Sequence, residues 1–216
     1  VRKVRERYNI PEDGFMLLFL GRLTWVKGVR NLIQAMPSIL KEYPKTKLVI
    51  LGKGEEQSDI VEMAGRLGAK DNVTCNFQFV PEEERIAHYA AADACVFPSI
   101  YEPFGIVSLE AMSMTKPIVV GAQGVVGFRE QVVPTGEDQN GVHINGNDPS
   151  DIAWGIKEVL KDPERAKKWG ENGRKRVIQY FTWRKAAEQT LQIYEQIGIT
   201  SSWAKRGISK PKPPDS

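Results

Sequence analysis

Residues that hold metals or cross-links are scarce: 216 positions carry two cysteines and two histidines. Cys75 and Cys95 fall in strand-like runs without the short paired spacings of a zinc site, and read as small buried apolar residues rather than a disulfide. His88 lies in a helical stretch and His143 in a short strand. Neither has a second ligand at metal spacing, so both read as structural. No apolar run approaches the ~20 residues a helix needs to cross a bilayer. No secretory signal is visible, and although the chain begins at Val1 rather than Met, cytoplasmic is the default expectation for its localisation.

A dominant charge sign is missing as well. The formal net charge is +3, and the excess lies in residues 198–216, where Lys205, Arg206, Lys210 and Lys212 face only Asp215. The rest of the chain balances, which argues against a nucleic-acid face built on bulk charge. Hydrophobic content of 41% with 26% charged residues suits a globular domain, and the length suits one well-buried α/β unit rather than two. Residues 1–197 are expected to fold as that domain. Residues 198–216, rich in Ser, Lys and Pro, are expected to form a flexible basic tail.

What is present is alternation. Phe15–Leu20 and Lys47–Leu51 are apolar runs of strand length, separated by Asn31–Tyr43, where Leu32, Ile33, Ala35, Met36, Ile39 and Leu40 recur at helical spacing. The pattern continues with a helix over Ser58–Leu67, a strand over Val73–Phe77, a helix over Pro81–Ala91 and a strand from Ala94. A helix from Gly105 and a strand over Pro117–Val120 follow. Such alternation predicts a doubly wound, Rossmann-like parallel sheet. Beyond a glycine-rich loop, Gly121–Gly127, and a short strand over Val142–Ile144, three helices start at Asp148-Pro149, Asp162-Pro163 and Thr182-Trp183. Trp169, Tyr180, Phe181, Trp183, Leu191 and Tyr194 recur there at helical spacing and are expected to be packing residues. Gly52-Lys-Gly54 lacks the third glycine of a dinucleotide fingerprint and reads as a turn.

The most informative segment is Glu102-Pro-Phe-Gly-Ile-Val-Ser-Leu-Glu110. Pro103 and Gly105 keep Glu102 out of the helix, which begins near Gly105 and carries Glu110. The first-turn amides near Gly105, Ile106 and Val107 have no intrahelical acceptors and sit at the positive end of the helix dipole, which suits phosphate. Arg22 and Lys27, after the first strand in Gly21-Arg-Leu-Thr-Trp-Val-Lys-Gly28, offer a fork donor and a point charge to the same oxygens without a metal. Glu110 is an acceptor-only group when ionised.

Together the two motifs resemble the C-terminal, donor-binding half of the retaining GT-B glycosyltransferases, the group 1 enzymes of families 4 and 5 that include glycogen and starch synthases. The resemblance covers about residues 5–197. It implies an NDP-sugar donor, with ADP- or UDP-glucose favoured, and neither cofactor nor metal. Arg22 and Lys27, with Gly105 and Ile106, would hold the diphosphate. Glu102 would act catalytically at the sugar, beside Phe104 and Gly105, and Glu110 would hold the ribose. Phe79 and Val80 would flank the base. A saccharide or other acceptor would be held by an N-terminal domain absent from this chain, without which the domain binds but does not turn over. The family's usual glycines are replaced by Thr115 and Gln78. The competing readings are a non-catalytic nucleotide-sugar-binding module, a sugar-nucleotide epimerase of the same architecture and, third, an NAD-dependent oxidoreductase.

Overall fold

A computed structural model describes residues 1–196. Its strands are β1 (Met16–Leu20), β2 (Lys47–Leu51), β3 (Val73–Asn76), β4 (Ala94–Phe97), β5 (Ile118–Gly121) and β6 (Gly141–Ile144). They form one sheet in the order β3-β2-β1-β4-β5-β6, and every neighbouring pair is parallel. Parallel strands joined by crossover helices are covered on both faces, so they read as continuous apolar runs rather than alternating ones. Leu17, Leu18, Leu48, Val49, Ile50, Val96 and Val119 accordingly have no exposed surface.

The covering helices are α1 (Arg2–Arg7), α2 (Val29–Glu42), α3 (Gln57–Arg66), α4 (Glu82–Ala91), α5 (Ile106–Ser113), α6 (Phe128–Gln131), α7 (Pro149–Leu160) and α8 (Pro163–Tyr180). On α2, Leu32, Ile33, Met36 and Ile39 line one face and pack with Ile152, Ile156 and Val159 of α7 in the main core. The Asp148 side chain caps α7 by accepting from the Ser150 amide, with Pro149 in the first turn, as its sequence indicates.

Thr115 shows what a missing glycine does. After α5, Lys116 N–H bonds to Ala111 O at 3.1 Å and Thr115 N–H to Met112 O at 3.0 Å, the pairing of a Schellman C-terminus, whose left-handed position glycine normally fills. Thr115 occupies it at φ 58°, a strained setting for a β-branched side chain.

Two compact units are resolved, Val1–Ile178 and a second beginning at Gln179. The second holds α9 (Trp183–Gln196), none of whose residues is buried. Here the packing expectation needs correction. Trp169 is buried, but Tyr180, Trp183, Leu191 and Tyr194 are exposed, because helical spacing marks an apolar face without specifying what covers it. The basic tail expected over 198–216 lies outside the described residues.

Candidate functional site

From β1 the chain winds outward to β2 and β3, then returns to place β4 on the other side of β1. A doubly wound sheet opens its ligand crevice at such a switch, outside the carboxyl ends of the strands. Here those ends are Leu20 and Phe97, and a cleft of ≈ 490 Å³ lies between their loops. Arg22, Lys27, Glu102, Phe104, Gly105 and Ile106, read from two motifs far apart in sequence, all line it.

The loops meet through close backbone contacts. Gly28 has φ 68°, and a Cβ there would lie 2.1 Å from Pro98 O, so only glycine lets the loop after β1 lie against the loop after β4. Ile100 N–H bonds to Val26 O at 2.8 Å, joining the same loops. Lys27 Nζ and Glu102 Oε2 form an ion pair whose side chains are 16% and 13% exposed. Arg22, by contrast, is exposed and has no hydrogen bond or ion pair among the described residues.

Gly105 starts α5 at φ 85°, and no side chain caps the helix. A Cβ at Gly105 would fall 2.0 Å from the Phe128 ring. The adjoining Phe104 carbonyl accepts from Gln131 Nε2 at 2.7 Å, while Gln131 Oε1 accepts from Ser108. With a trans peptide, N–H and C=O point in opposite directions. Gln131 therefore turns the Gly105 amide away from itself and fixes the uncapped helix start. Glu102 is held at its backbone too, its N–H bonding to Val125 O at 3.2 Å and its carbonyl accepting from Gly127 N–H at 2.6 Å. Gln131 and the 125–128 segment had no role in the sequence reading, although the glycine-rich run Gly121–Gly127 was its visible signal.

Glu110 stands one turn beyond Ile106 on α5. Tyr89 Oη donates to Glu110 Oε2 at 2.8 Å. Burial, reinforced by the charge of Glu110, drives the Tyr89 phenol far above its ordinary pKa, so it remains a donor. Oε1 of Glu110 has no hydrogen bond among the described residues, and stays available as an acceptor. Glu110 is not part of the cleft lining, nor are Phe79 and Val80. On the loop after β3, Phe79 is exposed and Val80 buried. Gln78 N–H bonds to Asn76 Oδ1 at 2.9 Å, a side-chain turn that accommodates a non-glycine residue.

The remaining candidates take structural places. Gly52 and Gly54 allow the β2 loop to press on the backbone of Gly21 and Leu23, consistent with a turn. His88 is fully buried between Tyr8 Oη at 2.8 Å and Glu84 O at 2.6 Å. Both cysteines are free. Among the described residues no group of acidic, His and Cys side chains is arranged to hold a metal, and no helix is long and apolar enough to cross a membrane.

The doubly wound sheet with its cleft at the switch point is the fold of the GT-B glycosyltransferases. The chain belongs to the glycosyl transferases group 1 family, whose model matches residues 1–176. It is 36% identical over 197 residues to an uncharacterized glycosyltransferase of Methanocaldococcus jannaschii, covering 88% of this chain and 47% of that one. It is 35% identical over 200 residues to a glycogen synthase of Mycobacterium tuberculosis, with coverage of 91% and 44%. Among solved structures, sucrose-phosphate synthase from Thermosynechococcus elongatus matches with a TM-score of 0.75 at 34% identity, covering 93% of this chain and 50% of that one. The chain thus spans about half the length of these relatives.

Proposed function

We propose that this chain is the donor-binding half of a retaining, metal-independent glycosyltransferase that moves glucose from ADP- or UDP-glucose to a saccharide acceptor. The observation that carries the reading is the convergence of Arg22, Lys27, Glu102 and the α5 start on one cleft. In the transfer, the bond from the sugar's anomeric carbon to the phosphate oxygen breaks, and its electron pair leaves with the diphosphate. Arg22, Lys27 and the Gly105 and Ile106 amides offset that charge. Glu102 faces the positive charge that develops on the sugar, and an acceptor hydroxyl bonds to the anomeric carbon while giving up its proton to the departing diphosphate oxygen. Lys27 is held by Glu102 in the unliganded cleft and turns to the diphosphate when donor enters. Glu110 takes the ribose hydroxyls through its open oxygen. The acceptor is held by a second half of the enzyme, in keeping with the length of the relatives.

Calorimetric titration of the chain with ADP, UDP, GDP and NAD, in the presence of a chelator, tests the donor site. Saturable binding of a nucleoside diphosphate without NAD is the expected result and identifies the base. Binding of NAD alone, or of none of the four, overturns the reading.

A further inference from the structure

A second cleft, of ≈ 360 Å³, lies against the edge strand β6. Two helices each contribute a pair of residues four apart, which places both members on one helix face. Trp154 and Glu158 come from α7, Arg165 and Trp169 from α8. Trp169 is buried and carries the Arg165 guanidinium 4.8 Å over its ring. Arg165 Nη2 also donates to Glu158 O at 2.7 Å and lies 3.5 Å from Glu158 Oε2. Trp154, by contrast, is 50% exposed. His143 joins the lining from β6. Its Nε2 is buried without a partner, and burial shifts the ring toward its neutral form.

These features select a ligand chemistry. Glu158 pairs with both Lys161 and Arg165, and Arg165 also lies 4.0 Å from Asp162, so acids and cations balance and the cleft has little net charge to offer a phosphate. The two helix starts are occupied by their own aspartates, Asp148 accepting from the Ser150 amide on α7 and Asp162 from the Arg165 amide at 3.0 Å on α8. What remains is a half-open indole face beside the ion-paired Glu158 carboxylate and Arg165 guanidinium, with His143 in the same lining. A pyranose ring matches this set, because it presents an apolar C–H face for stacking and hydroxyls that both donate and accept. We propose that the cleft is a second saccharide site, binding glucosyl units of an acceptor chain apart from the donor cleft. The choice of glucosyl units rests on the function proposed above. The two clefts share no lining residue, and β6 lies two strands from β4, about 10 Å across the sheet.

The test is calorimetric titration of the chain with maltoheptaose, and separately with UDP and ADP. Maltoheptaose should bind saturably. Trp154→Ala should weaken it at least tenfold, Trp154→Phe should restore most of the affinity, and the nucleotide isotherm and melting temperature should not change in either variant. Nucleotide binding without maltoheptaose binding overturns the second site and leaves the donor reading standing. Trp154-dependent maltoheptaose binding without nucleotide binding does the reverse. Maltoheptaose affinity that Trp154→Ala leaves intact overturns the assignment of the saccharide to this cleft.

Discussion

Where the strands begin, Arg5 Nη1 donates to Asp93 Oδ2 at 2.9 Å and to Ala91 O at 3.2 Å, and Nη2 donates to Gly14 O at 2.6 Å. Asp93 Oδ2 also accepts from the Met16 amide at 2.6 Å. This cluster ties the starts of β1 and β4 to the N-terminal segment and uses its donors on the protein itself. Where the same two strands end, among the described residues Lys27 and Glu102 hold only each other's side chains, Arg22 holds nothing, and the start of α5 has no side-chain cap. Both clusters join β1 to β4, yet in one both terminal nitrogens of the guanidinium are spent on the protein, while the other keeps more unused hydrogen-bonding capacity. That spare capacity, more than charge alone, distinguishes a binding site from a structural ion pair.

Substitutions at the two ends should therefore separate stability from function. The largest effect is expected of Glu102→Gln. In an enzyme completed by its other half it should lower transfer by more than about a thousandfold, with nucleotide affinity retained; product formation at the wild-type rate would refute the role. Next is Arg5→Ala, which should cost about 2 kcal/mol in denaturant unfolding and leave nucleotide affinity alone. A matching loss of affinity would show that the two ends are coupled. Arg22→Ala should do the opposite, weakening nucleoside diphosphate binding about tenfold, or ~1.4 kcal/mol, without moving the unfolding midpoint. The smallest change is Thr115→Gly, which removes the left-handed strain after α5 and should stabilise the domain by about 1 kcal/mol, measured by thermal unfolding with donor binding unaffected.

The sheet was legible because buried parallel strands write themselves as unbroken apolar runs, and the helix starts because Asp-Pro and Pro-x-Gly restrict the backbone. The cleft was legible for a related reason: Gly28 and Gly105 sit where the chain cannot accept a side chain. Other features left little trace. A single turn such as α6 is too short for periodicity, so Gln131 looked like any polar loop residue although it orients the Phe104 carbonyl. Tyr89 carries no signal of its own within the helical stretch Pro81–Ala91, since its bond to Glu110 depends on a packing that no local pattern encodes. α1, a short charged run, gave no helical face to recognise. The exposure of Trp183, Leu191 and Tyr194 was missed for the opposite reason, since an apolar stripe is equally clear in sequence whether covered or bare.

The strand order has one more consequence, in the order of synthesis. Lys27 and Glu102 are 75 positions apart, and the clamp formed by Gly127, Phe128 and Gln131 follows later still. A nascent chain that has already built β1, β2 and β3 possesses only one wall of its cleft, with the Lys27 ammonium unmatched, until β4 slots in beside β1. Appearance of the cleft would thus report completion of the sheet as far as β5, making affinity for the proposed nucleotide a marker of how much of the chain has folded.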